Sequence, residues 1–66
     1  MTYEEYLTRA LTRRELNPTE RLGQVYYNVL ADVRPDLGDE VRGTSHDPFY
    51  KDEVVPAFLD WARFNW

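Results

Sequence analysis

The sequence predicts an all-α fold, a small compact bundle of three longer helices plus one short helix, built as a single domain over residues 1–66. Three observations carry this. Apolar residues recur three and four positions apart along most of the chain. Capping residues and prolines punctuate it at helix-length intervals. No stretch alternates with period two, and Val54-Val55 is too short to be read as a strand.

The elements follow in order. Thr2 with Glu5 three positions later reads as a capping box that opens a helix over 3–14. Tyr3, Tyr6, Leu7, Ala10 and Leu11 then share an arc of about 140°, with charged residues opposite. Asn17-Pro18-Thr19-Glu20 reads as a second start: Asn17 as N-cap, Pro18 at the first helical position and Glu20 reaching back. The second helix, over 18–33, places Leu22, Val25, Tyr26, Val29, Leu30 and Val33 on a similar arc of about 140°. Gly23 lies inside it, where glycine costs about 1 kcal/mol against alanine. That cost points to the close approach of another helix. Arg34-Pro35 breaks the pattern, because the residue before proline is pushed out of helical space. A short third helix over 35–42 offers Leu37 and Val41, and Gly43 suits a left-handed helix end.

Residues 43–52 form the one long connection, with a turn or one-turn helix start at Asp47-Pro48. Asp52 is placed to cap a last helix over 53–64, with Pro56 tolerated in its opening turn. In that helix Val54, Val55, Ala57, Phe58, Leu59, Trp61, Ala62 and Phe64 span about 200°, and Trp66 falls within the arc if the helix continues. So wide a stripe means that the last helix sits centrally between the first two, or that part of it meets another chain. The expected core is Leu7, Leu11, Leu22, Tyr26, Val29, Leu30, Val33, Leu37, Val41, Phe58, Leu59 and Ala62.

Composition narrows the function classes. There is no cysteine, so neither a disulfide nor a thiolate zinc site is available, and the single His46 cannot build a histidine metal site alone. Residues 1–34 hold five acids and five arginines, while residues 35–66 hold seven acids against Arg42, Lys51 and Arg63. The net charge of −4 therefore sits in the second half. An acidic chain is poorly suited to phosphate backbones, so no nucleic-acid partner is expected. Arg9, Arg13 and Arg14 read as a solvated face, with Glu5 four positions before Arg9 in the favourable pairing order. No run approaches the length of a membrane span and no charged-then-apolar leader opens the chain. The expectation is a cytoplasmic protein with no membrane partner.

No catalytic or cofactor-binding constellation emerges. Ser45-His46-Asp47 has the residue types of a triad, but adjacent side chains point apart and cannot converge on one atom. A polar turn, with Asp47 bonding backbone amides, accounts for them. Asp36, Asp39 and Glu40, and separately Asp47, Asp52 and Glu53, lack the alternation and central glycine of a calcium loop. Helix N-termini favour acids in any case. No metal, no cofactor and no small-molecule substrate is expected.

The aromatic residues are the most informative feature. Six of the ten fall in the last eighteen positions: Phe49, Tyr50, Phe58, Trp61, Phe64 and Trp66. A domain this small buries only about 60% of the surface its unfolded chain exposes. Some of these rings are core and some await another surface. Phe49, Tyr50, Asp52, Trp61, Phe64 and Trp66 are the candidate protein-binding residues, since Trp and Tyr dominate interface hot spots and a ring at a chain end is hard to bury.

The ordered pieces Arg21-Leu22-Gly23-Gln24, Tyr27-Asn28, Arg34-Pro35-Asp36-Leu37, Arg42-Gly43-Thr44, Asp47-Pro48-Phe49-Tyr50 and Pro56-Ala57-Phe58-Leu59-Asp60-Trp61 span about two thirds of the chain. They resemble small proteins encoded by tailed bacteriophages of GC-rich hosts. The arginine-for-lysine bias and the absence of isoleucine suit such a genome. The resemblance implies a source but no activity, and no functional residue is carried over from it. It favours a non-enzymatic protein-binding domain, a phage-encoded modulator of a host protein acting in the host cytoplasm. The alternative is a self-associating structural or scaffolding element, a homo-oligomer. An acidic DNA mimic is weaker, because −4 is a modest charge.

Overall fold

The computed structural model describes residues 1–66 as four α-helices and one 3₁₀ turn. They are α1 (Tyr3–Leu16), α2 (Leu22–Val33), α3 (Pro35–Val41), the 3₁₀ turn Asp52–Val54 and α4 (Val55–Asn65). The fold is all-α, as the periodicity predicts. Its radius of gyration of 10.6 Å matches the ~10.8 Å of a compact chain this long.

The first helix begins as read. The Glu5 amide donates to the Thr2 hydroxyl at 3.1 Å, and the Thr2 amide donates to the Glu5 carboxylate at 2.8 Å. It runs to Leu16 and ends on Asn17, whose side-chain amide donates to the Arg13 carbonyl at 3.1 Å. Here the reading of Asn17 is corrected: it closes α1 and does not open α2. Glu20 does not reach back to cap either. Its carboxylate takes a bidentate bond from Arg13, at 2.9 and 3.2 Å, and a third bond from Asn28 at 3.1 Å. Held this way, Asn17–Glu20 is a turn, and α2 starts four residues later than its punctuation suggests, at Leu22.

Helix α2 is the hub. It packs against α1, α3, α4 and the 3₁₀ turn. Its buried positions are Gly23, Val25, Tyr27, Val29 and Leu30, an arc of about 200° on an ideal helix. The central place, one of the two alternatives for the last helix, therefore belongs to α2. Tyr27, outside the expected stripe, is core for this reason. Helix α4 buries Val55, Phe58 and Ala62, packs Leu59 and Trp61 partly against the core, and leaves Ala57 and Phe64 outside.

The core gathers Tyr6 and Ala10 of α1, Val25, Tyr27, Val29 and Leu30 of α2, Leu37 and Val41 of α3, and Phe58 of α4. Of the expected core residues, Val29, Leu30, Leu37, Val41, Phe58 and Ala62 are buried, and Leu7, Leu22, Tyr26, Val33 and Leu59 are half-buried. Leu11 is corrected: it is 56% exposed. It lies about 100° round the helix from the buried Ala10, at the outer edge of an α1 stripe. Tyr6 brings a hydroxyl into the interior and donates it to the Tyr26 carbonyl at 2.6 Å. Burial there pushes its pKa well above the ordinary tyrosine value. No buried side-chain polar atom lacks a partner.

Two predictions follow from this packing. Leu30 is fully buried, so Leu30→Ala should lower the unfolding free energy by about 2–5 kcal/mol, read from urea denaturation midpoints. The Arg13 hydrogen bonds hold the Glu20 pKa below the ordinary glutamate range. A carboxylate with a depressed folded pKa stabilises above its unfolded pKa, about 4.3, and that contribution is lost as pH falls through the folded value. Stability should therefore decline on acidification below about pH 4. Glu20→Gln should flatten this acid limb in melts recorded across pH.

Candidate functional site

The site is the connection between α3 and α4, and it is built by a chain of local hydrogen bonds. Gly43 follows α3 with φ +76°, the left-handed conformation that reverses the chain. The Thr44 hydroxyl donates back to the Val41 carbonyl at 2.7 Å. Asp47 then fastens the loop from inside. One carboxylate oxygen accepts the Gly43 amide at 2.8 Å and the other accepts the Phe49 amide at 2.9 Å. Pro48 is buried. This is the polar turn that the Ser45-His46-Asp47 sequence suggests.

The loop is pinned to the start of α2. A Cβ on Gly23 would collide with the carbonyl oxygen of Pro48 and stand 3.0 Å from the Asp52 carboxylate. The close approach expected at Gly23 is thus real, but a loop makes it, not a helix. The Gly23 amide donates to Asp52 Oδ1 at 2.9 Å. Arg21, in the N-cap position of α2, cannot accept a bond with its side chain, so a carboxylate 29 residues away satisfies one of the free amides of the first turn. Asp52 is therefore corrected from capping residue of the last helix to remote cap of α2. Arg21 completes the pin by donating to the Phe49 carbonyl at 2.6 Å.

On this platform Tyr50 stands 78% exposed. Its ring lies edge-on to Phe49 at 4.9 Å, and Phe49 is edge-on to the buried Tyr27 at 5.6 Å. Tyr50 lines two open depressions. One, of about 290 Å³, is bounded by Tyr27, Arg42, Asp47 and Phe49. The other, of about 360 Å³, runs past Thr44, Lys51 and Val54. The Arg42 Nε–H donates to the Tyr27 hydroxyl oxygen at 3.2 Å, and that hydroxyl donates to the Gly38 carbonyl at 3.4 Å. The Tyr27 bond holds the Arg42 pKa above the ordinary arginine value.

The six candidate residues divide between two places. Phe49, Tyr50 and Asp52 come together here, with Phe49 half-buried, Tyr50 displayed and Asp52 half-buried on the Gly23 amide. The other three belong to α4 and its end. Trp61 is half-buried and stacks on Phe58 at 6.3 Å. Phe64 is 90% exposed. Trp66 is held against the core. Its ring stacks on Tyr6 at 5.2 Å, its indole N–H donates to the Met1 carbonyl at 2.8 Å, and Arg34 donates to its carbonyl at 2.7 Å. The Arg34 guanidinium also lies over the Trp66 ring, 5.2 Å from its centroid. Trp66 is thus a structural ring, not a displayed one. Arg42 and Tyr27 are the site residues that the sequence did not single out. Only the helix end at Arg42-Gly43 marked the place.

The rest of the surface is plainer. A depression of about 460 Å³ along the outer side of α1 is lined by Met1, Glu4, Glu5, Thr8, Arg9 and Thr12, the polar side of an amphipathic helix. No group of three or more histidine or acidic side chains is gathered to hold a metal ion. No helix is long and apolar enough to cross a membrane.

In an open helix Gly23→Ala would gain about 1 kcal/mol. Here the Pro48 carbonyl should reverse the sign, with a loss of about 1–3 kcal/mol. Asp52→Ala should cost about 1 kcal/mol, as the loss of an N-cap does, and should speed exchange of the Gly23 amide. Thermal melts and amide hydrogen exchange read both. The comparisons with known proteins add no relative: no protein-family model, no curated protein and no solved structure matches this chain.

Proposed function

We propose that this chain is a small non-enzymatic protein-binding domain, a phage-encoded modulator of a host protein, and that it binds through the surface around Tyr50. The observation that carries this reading is a large amphipathic ring, 78% exposed, on a loop fixed by Asp47, Asp52, Arg21 and the Gly23 contact. A ring presented on a preorganised loop loses little further entropy on binding, and tyrosine is enriched among hot-spot residues. A role without catalysis is supported by the state of Asp47. Both of its oxygens are taken by backbone amides, so it does not orient His46 as a base. The phage source rests on the resemblance of the ordered pieces between Arg21 and Trp61 alone.

A second reading, self-association, is favoured by Phe64. This ring is 90% exposed on the outer side of α4, and an exposed phenylalanine is an apolar contact without a polar function. Apart from Ala57, the rest of the α4 stripe is buried or half-buried.

The test is a pull-down from bacterial lysate with the tagged chain, Tyr50→Ala and Phe64→Ala, with all three melting alike. One stoichiometric partner should be kept by the parent chain and by Phe64→Ala, and lost by Tyr50→Ala. Retention by Tyr50→Ala would remove the loop from the interface. Recovery of the chain alone, with a scattering mass that rises with concentration and falls in Phe64→Ala, would select self-association.

A further inference from the structure

The residues around Tyr50 make it look like a ring among acids, since Asp47, Asp52 and Glu53 all lie within three positions of it. The structure engages two of these acids with backbone amides. Asp47 is spent on the Gly43 and Phe49 amides, and Asp52 on the Gly23 amide and Arg21. Two cations border the depressions, Arg42 on one side and Lys51 on the other, with Asp47 lining both. Arg42 is the better placed of the two. Its Nε–H is committed to Tyr27, which orients the guanidinium, while neither Nη group has a partner and no carboxylate lies within ion-pair distance. Asp39 and Asp47 are near enough to act on its charge, but Asp47 is held by its amides. A guanidinium fixed at one edge and open at the other suits a carboxylate, which it can grip with two parallel bonds.

We propose that the Arg42–Tyr50 groove docks a peptide segment of a partner protein that carries a carboxylate beside an apolar side chain. The carboxylate meets the free Nη edge of Arg42, and the apolar side chain lies on the Tyr50 and Phe49 rings. The shape favours a peptide over a small acid. The two open depressions, about 290 and 360 Å³, share the exposed Tyr50 ring as lining. An extended segment lying on that ring reaches both. A single carboxylate also fits the charge better than a dianion, since the chain as a whole is −4 and its field opposes a second negative charge. The inference rests on the protein-binding reading and gives the chemistry of the bound segment.

The test is an NMR titration of the full, isotope-labelled chain with three probes: an acetylated, amidated pentapeptide alternating leucine and glutamate, its leucine–glutamine counterpart, and sodium acetate. The glutamate peptide should shift the Arg42 Nε–H, the Tyr50 ring and the Gly43 and Lys51 amides with saturation. Binding should weaken roughly tenfold to hundredfold for the glutamine peptide, and equally for Arg42→Gln with the glutamate peptide, as loss of a charge-assisted bond implies. Tyr50→Ala should weaken both peptides, and matching melts would show that the variants are folded. Equal affinity for the two peptides would overturn the carboxylate while leaving Tyr50 as a protein-binding ring. Saturation of the same shifts by acetate alone would make this a small-anion site and overturn the peptide. No shift at the groove, with the lysate partner still lost in Tyr50→Ala, would overturn this inference and spare the proposed function. No shift together with no Tyr50-dependent partner would overturn both.

Discussion

The contact between Pro48 and Gly23 is the constraint on which the rest of the structure depends. A loop carbonyl lies where any other residue would carry its Cβ, so loop and helix close on each other at backbone distance. That closeness lets the Asp52 carboxylate reach an amide in the first turn of α2. Arg21 cannot supply such a bond from its own side chain, and an unmet amide at a covered helix end is costly. The loop therefore completes the hub helix, and the hub helix fixes the loop. Because α2 touches every other element, an error at this junction would reach the whole core.

The same economy governs the rings. Tyr6, Tyr27 and Phe58 are buried, and each tyrosine hydroxyl meets a backbone carbonyl. Trp66 lies between Tyr3 and Tyr6 on one hand and Arg34 on the other. Arg34 also grips Asp36 with two bonds, at 3.0 and 2.9 Å. One arginine at the α2–α3 boundary thus sets α3 and the end of α4 together. A domain this small has few core residues to spend, so it uses aromatic area and the polar edges of those rings at once. Two large rings, Tyr50 and Phe64, are left facing out.

Charge illustrates how far local composition can mislead about a site. The second half of the chain carries the acid excess, yet Asp47 and Asp52 at the loop are engaged as acceptors of backbone amides. A carboxylate that accepts backbone amides organises the loop and offers a partner less than its presence in the sequence implies. The cation Arg42, inconspicuous in an acidic segment, keeps its Nη groups free because Tyr27 holds its other edge.

The all-α class, the capping box at Thr2 and Glu5, the break at Arg34-Pro35, the left-handed Gly43 and most of the core are legible from residue order alone. These depend on contacts within a turn or two of helix, and periodicity records them directly. Residue order also placed the long connection and its two rings, but not which of Phe49 and Tyr50 is displayed. It could not say that Asn17 ends a helix, because Asn17 suits either role and the bonds from Arg13 and Asn28 to Glu20 decide between them. Nor could it show that α2 is the hub, that Trp66 is structural or that Asp52 caps a helix 29 residues away. Each of these is a pairing between residues distant in sequence, chosen by which surfaces remain uncovered once the helices pack. Spacing along one chain carries no record of that choice.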